Sequence, residues 1–122
     1  MSVDLFRYAM PEDGTLLDVI EAIKNNKSRC VILIAGGRVS GVLSEGDVMS
    51  ALLHGADVHV RCSEYANRSF KFLSRRDHEK ALGLMRDFGL TLLPIVDKDF
   101  HLVDVITLSD VLKRVALVPL RP

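Results

Sequence analysis

The feature that most constrains the fold is a phrase written twice. GVLSEGDVMSALL runs from Gly41 to Leu53, and DVITLSDVLKRV from Asp104 to Val115. Both read as apolar residues, then Ser or Thr, two spacers, Asp and Val, with Ser44 and Asp47 each 63 residues before Thr107 and Asp110. Internal repetition decides an architecture before any single element does, because each copy must fold alike and each exposes an apolar face that the other can cover. At the same offset Val31, Ile32 and Leu33 fall on Pro94, Ile95 and Val96, Val39 on Leu102, and Val42 and Leu43 on Val105 and Ile106. Apolar positions meet apolar positions.

Upstream of each block lies a helical pattern. TLLDVIEAIKNN, Thr15 to Asn26, places Leu16, Val19, Ile20 and Ile23 on one stripe, and DHEKALGLMRDFG, Asp77 to Gly89, does the same with Ala81, Leu82, Met85 and Phe88. Gly89 is a natural helix stop. RCVILIAGGRVSGVLS then predicts a hairpin turning at Gly36-Gly37, and TLLPIVDKDFHLVDVIT a second one turning at Asp97 to Asp99. Each half ends in a short helix starting near Ser44 or Thr107. The unit is helix, strand, strand, helix, with a further strand predicted before the second copy at Ser69 to Leu73.

A unit of about 60 residues buries its apolar face poorly alone. The expectation is therefore one α/β (α+β) module of two repeats packed face to face with pseudo-twofold symmetry. Residues 1–56 form the first repeat, 57–67 the connection and 68–122 the second.

Sixteen basic residues balance sixteen acidic ones, so no global field draws the chain to nucleic acid or an anionic membrane. The longest apolar run, Cys30 to Ala35, is far short of the roughly 20 residues that span a bilayer. The first residues show no secretory pattern, and two separated cysteines, Cys30 and Cys62, make no disulfide framework. A reducing cytoplasm is the expected setting.

The repeated phrase has two readings. Ser44 with Asp47 and Thr107 with Asp110 fit the helix-capping box, as does Thr15 with Asp18. The same geometry also suits a ligand: a strand running into a helix N-terminus presents backbone donors and partial positive charge to an anion. A hydroxyl there donates to phosphate, and a carboxylate one turn on accepts from ribose hydroxyls.

With these residues in view, the order of helix, apolar strand, turn, strand ending in G-V-L-S-E-G-D-V, and helix resembles the CBS motif. Two such motifs, with LLPIVD in the second, resemble a tandem CBS pair or Bateman module, in which each repeat is β-α-β-β-α. The resemblance covers Thr15 to Val115. It implies a regulatory module, not an enzyme, whose clefts bind adenosine-containing ligands such as AMP, ADP, ATP or S-adenosylmethionine, with no required cofactor. By position, Ser44 and Thr107 would approach phosphate or ribose, Asp47 and Asp110 would hold ribose hydroxyls, Gly41 would leave the backbone open beside the phosphate, and Val31, Pro94 and Ile95 would wall the base. The resemblance also implies a homodimer and an attached catalytic partner domain. SEGDVMSALLHGADV, Ser44 to Val58, is similar to a stretch of the CBS pairs that precede bacterial sugar-phosphate nucleotidyltransferases. A ligand-free dimerisation or assembly module is the alternative.

Asp104 stands where Gly41 stands in the first copy, and a carboxylate there is expected to repel a phosphorylated ligand from the second site. His59 and Cys62 lack the further ligands that zinc needs, so a surface or linker role is expected, with no metal site. The basic cluster Arg68, Lys71, Arg75 and Arg76 reads as a solvated face beside Asp77 and Glu79. Neither cysteine nor Ser44 has the setting of a catalytic nucleophile.

Overall fold

The computed structural model describes residues 5–116. Residues 1–4 and 117–122 of the two expected repeats lie outside the described residues.

Local signals start and stop the helices. In α1 (Leu16–Asn26) the Thr15 hydroxyl accepts from the Asp18 amide at 3.2 Å while the Asp18 carboxylate accepts from the Thr15 amide at 2.9 Å. The chain leaves α1 at Lys27, in the left-handed region at φ 58°. α3 (His78–Phe88) is capped by Asp77, which accepts from the Lys80 amide, and ends at Gly89 with φ 66°. One uses a lysine and the other a glycine for the same backbone turn.

The first repeat contains β1 (Ala9–Pro11), α1, β2 (Cys30–Ala35), β3 (Arg38–Ser44) and α2 (Glu45–Leu53). β2 pairs antiparallel with β3, setting Val31 opposite Leu43, and parallel with β1, setting Met10 opposite Leu33. The second repeat contains α3, β4 (Leu92–Val96), β5 (Leu102–Thr107) and α4 (Leu108–Ala116). β4 and β5 are antiparallel, with Leu93 opposite Ile106.

One strand differs from expectation. Ser69 to Leu73 forms no regular strand; Leu73 alone makes a parallel bridge to Ile95, donating to the Pro94 carbonyl at 3.0 Å. Phe70 and Phe72 instead turn toward Phe100, and the three rings pack edge-on with centroids 4.9–6.4 Å apart. The first repeat supplies the equivalent strand, β1, in three residues ending at Pro11. Too short to show a period, it went unannounced in the sequence.

Three apolar clusters hold the fold together. Leu16, Val19, Val31, Leu33 and Leu43 form the core of the first repeat, and Leu73, Ala81, Leu93, Ile95 and Ile106 that of the second. A third cluster, Cys30, Ile32, Val39, Leu92, Val96 and Val105, lies between the two sheets. Strand alternation explains the division: Val31 and Leu33 point at their own helices, while Cys30 and Ile32 point at the other repeat. That is why CVILIA and LLPIV are continuously apolar rather than alternating. The two repeats therefore pack face to face through their sheets.

The connection is tied to the first repeat. Val42 and Asn67 exchange backbone hydrogen bonds at 3.1 and 2.9 Å, and a 3-10 turn at Cys62–Tyr65 tucks Cys62 wholly into the first core. Its thiol donates to the Glu12 carbonyl. Cys62 is thus a core residue rather than a surface or linker one, while His59 stays exposed.

Candidate functional site

Both halves of the repeated phrase sit where a strand runs into a helix. At the β3–α2 corner the Ser44 Oγ accepts from the Asp47 amide at 3.1 Å, and Asp47 Oδ2 accepts from the Ser44 amide at 2.9 Å. At the β5–α4 corner Thr107 Oγ1 and Asp110 Oδ2 repeat this at 3.1 and 2.9 Å. Both are complete capping boxes, so the first reading of the phrase holds. The cap uses each hydroxyl as an acceptor, which leaves its proton to donate elsewhere.

Each corner faces the loop that follows the first helix of the other repeat. The Ser44 corner meets the loop after α3, and between them lies a cleft of about 540 Å³ that includes Cys30, Asp47, Phe70, Phe88 and Leu92. The Thr107 corner meets the loop after α1, across a cleft of about 490 Å³ that includes Lys27, Ser28, Ser109, Leu112 and Lys113. Arg29 and Thr91 border both clefts. The Thr91 hydroxyl donates to the Ser28 carbonyl and ties the two loops together on the divide between them.

The structure brings together some of the expected residues and separates others. Ser44 and Asp47 line the first cleft and Thr107 the second. Asp110 lies one turn into α4, where its carboxylate also accepts from Arg76 at 3.4 Å. Val31 and Ile95 belong to the two separate cores, so the strand faces that carry them are turned from the clefts, while Pro94, on the other face of β4, is buried and lines neither cleft. The cleft takes the alternate residues, Cys30 and Leu92, from those same strands. Gly41 is buried under the connection: a Cβ there would lie 3.1 Å from the Ala66 Cβ and 3.3 Å from the Asn67 carbonyl oxygen. Glycine is needed for chain packing at that point.

Asp104 is placed differently from its sequence expectation. Its carboxylate accepts from Arg76 Nη1 at 3.1 Å, and Arg76 also donates to the Val105 carbonyl at 3.0 Å. It is absent from the residues lining the Thr107 cleft. Arg76, assigned from sequence to a solvated face, neutralises it and spans Asp104 and Asp110.

Sequence reasoning missed Arg29, Lys27 and Lys113. The available signal was the repeat itself, which sets Lys27-Ser28-Arg29 against Gly89-Leu90-Thr91 in the two loops after the first helices. Arg29 has φ 63° and pairs with Glu45 at 3.1 Å. Lys71 lies over the Phe88 ring, 4.3 Å from its centroid. Burial, helped by the nearby Asp47 carboxylate, pushes the Cys30 thiol up to about 12, so the first cleft has a neutral thiol in its floor. Asp97, Asp99 and His101 cluster on the exposed β4–β5 turn, where Asp97 accepts from the amides of Asp99 and His101. That is a turn-forming role.

Residues 7–54 and 77–117 each match the profile of the CBS domain. The chain belongs to the CBS domain family. CBS domains are regulatory rather than catalytic, and this chain carries two in tandem. The magnesium transporter MgtE of Thermus thermophilus is 36% identical over 77 residues, which is 62% of this chain and 16% of the transporter. This CBS pair thus spans a small part of that relative's length. The cytosolic domain of the Mg2+ channel MgtE, solved in complex with ATP, superposes with a TM-score of 0.69 at 28% identity, over 88% of this chain and 45% of that one. A CBS domain protein from Pyrobaculum aerophilum, solved in complex with AMP, gives 0.73 at 24% identity over 90% and 91% of the two chains. Among the described residues no helix is long and apolar enough to cross a membrane.

Proposed function

We propose that this CBS pair is a regulatory module that binds an adenine nucleotide in the clefts between its repeats and passes occupancy to a partner domain. The observation that carries this reading is the pair of strand-to-helix corners, each opening onto a cleft large enough for a nucleoside. Asp47 and Asp110 cap through Oδ2, and Oδ1 is the atom proposed to accept ribose hydroxyls. Ser44 and Thr107 donate their remaining proton to phosphate. In the first cleft Cys30, Val42, Phe70 and Leu92 offer the apolar walls a base requires. The ATP complex of the MgtE cytosolic domain supports the ligand class, and ADP, AMP and S-adenosylmethionine share its adenosine.

Regulation follows from differential affinity: a ligand bridging both repeats favours the arrangement in which its contacts are complete. The proposal includes a cytoplasmic setting, compatible with two free cysteines. The relatives point to a transporter context, whereas the Ser44 to Val58 stretch is the support for an attached sugar-phosphate nucleotidyltransferase. A ligand-free homodimer is the second reading, favoured by exposed apolar side chains on α2: Met49 is 62% and Leu53 83% accessible.

Thermal unfolding with AMP, ATP, S-adenosylmethionine and sugar nucleotides decides between them. A true ligand at about 100 times its dissociation constant stabilises the fold by roughly 2.7 kcal/mol. That shift is expected to shrink in Asp47→Ala or Asp110→Ala. No shift with any of the four classes discards the sensor reading and leaves assembly.

A further inference from the structure

The two clefts are not equivalent, and one charged residue is shared between them. Arg29 and Thr91 occupy corresponding places in the two repeats. The Arg29 carbonyl accepts from the Glu45 amide that opens α2, at 3.0 Å, and the Thr91 carbonyl accepts from the Leu108 amide that opens α4, at 2.8 Å. Both residues border both clefts. Because the second repeat has threonine where the first has arginine, the divide carries a single guanidinium.

The surroundings of that guanidinium differ on its two sides. The Ser44 cleft is lined by Glu45 and Asp47 against Arg29 and Lys71, so its charges balance. The Thr107 cleft is lined by Lys27, Arg29 and Lys113, with hydroxyls from Ser28, Thr91, Thr107 and Ser109, and the Asp110 carboxylate at its corner is paired with Arg76. Arg29 rests on Glu45, but both side chains are substantially exposed, at 70% and 46%, and an ion pair of that kind is weak. A phosphate accepting two parallel hydrogen bonds from the guanidinium is a stronger partner than an exposed carboxylate.

We infer that Arg29 is the specificity-determining residue shared by the clefts, directing the polyphosphate of a nucleotide to the Thr107 cleft and setting the two clefts in competition for its charge. This deepens the nucleotide reading above and rests on it. Polyphosphate at Thr107 draws Arg29 from Glu45. Glu45 then stands uncompensated in the Ser44 cleft, which disfavours a second anion there and leaves that cleft to ligands with little negative charge.

The test is calorimetric titration of the full chain with ATP at low salt, with the amides of Gly46 and Ser109 followed by NMR to tell the clefts apart. ATP is expected to move Ser109 at lower concentration than Gly46. Arg29→Gln is expected to weaken ATP at the Thr107 cleft about tenfold, and Arg29→Lys to restore part of the loss. Glu45→Gln, which releases Arg29, is expected to tighten ATP there about threefold, an effect that disappears in the double variant Arg29→Gln/Glu45→Gln. Filling of the Ser44 cleft first, or a Glu45→Gln effect that persists without Arg29, overturns this inference and leaves nucleotide binding standing. Failure of ATP to bind the wild type at either cleft overturns this inference, and the nucleotide reading falls with it only if AMP and S-adenosylmethionine fail as well. Thermal melts of each variant without ligand confirm that it is folded.

Discussion

At the scale of single residues, the same side chain serves two ends at each corner. Ser44 and Thr107 start helices, and the sequence spacing was enough to say so; their ligand role is separable by experiment. Ser44→Ala is expected to cost about 1 kcal/mol in urea unfolding, whereas Ser44→Gly costs only a few tenths because glycine is itself a fair N-cap. If the hydroxyl donates to a ligand, Ser44→Gly abolishes much of the ligand-induced rise in midpoint while leaving the unliganded midpoint nearly unchanged. Glycines divide in the same way. Gly41→Ala forces a Cβ to 3.1 Å from Ala66 and is expected to destabilise by about 1–2 kcal/mol, measured by urea midpoint. Gly83, inside α3 with nothing within 4 Å of an added Cβ, should gain about 0.5–1 kcal/mol on substitution by alanine. The buried Cys30 thiol makes a pH prediction. Its folded value is raised to about 12, so above the ordinary thiol range the unfolded chain releases a proton that the folded chain keeps. Stability therefore falls as pH rises from about 8 toward 10, and Cys30→Ala is expected to show a shallower fall by urea midpoint. None of this was visible in sequence, because Cys30 is ordinary until burial is known.

At the scale of elements, periodicity was a dependable guide wherever an element was long enough to repeat it. α1 and α3 lie where their apolar stripes placed them, because burying one face of an amphipathic helix is the dominant local term, but of the stripe expected in α3 only Ala81 and Met85 are buried and Leu82 and Phe88 are exposed. β1 went unannounced and the Ser69 to Leu73 segment was misjudged for the converse reason. A three-residue strand has no period, and alternating Phe70 and Phe72 read as a strand although their rings are satisfied by Phe100. The loops after the first helices carry a further prediction. Lys27 holds φ 58°, a conformation that glycine adopts freely and lysine does not. Lys27→Gly is expected to stabilise the unliganded fold by about 0.5–1 kcal/mol, read as a higher urea midpoint. It also removes a cation from the Thr107 cleft, so a lysine here trades stability for local charge.

At the scale of the whole molecule, the sheet-to-sheet cluster makes the repeats interdependent. Ile32→Ala, at the centre of that cluster, is expected to cost about 2–5 kcal/mol and to lower one unfolding transition rather than split it in two. Calorimetry reads this directly: two separate transitions would mean that the repeats fold alone. The sequence by itself determined that there are two like units, where their helices and hairpins lie, that both carry capped strand-to-helix corners, and which family they resemble. These are local matters, set by periodicity, capping and turn chemistry within a few residues of each other. Only the tertiary structure decided which face of each strand looks into a cleft, so that Cys30 and Leu92 replaced Val31 and Ile95. It alone paired Asp104 with Arg76, and set Arg29 and Thr91 on the divide between the clefts. Such choices depend on which distant residues meet when two sheets are pressed together, and no spacing along the chain encodes that meeting.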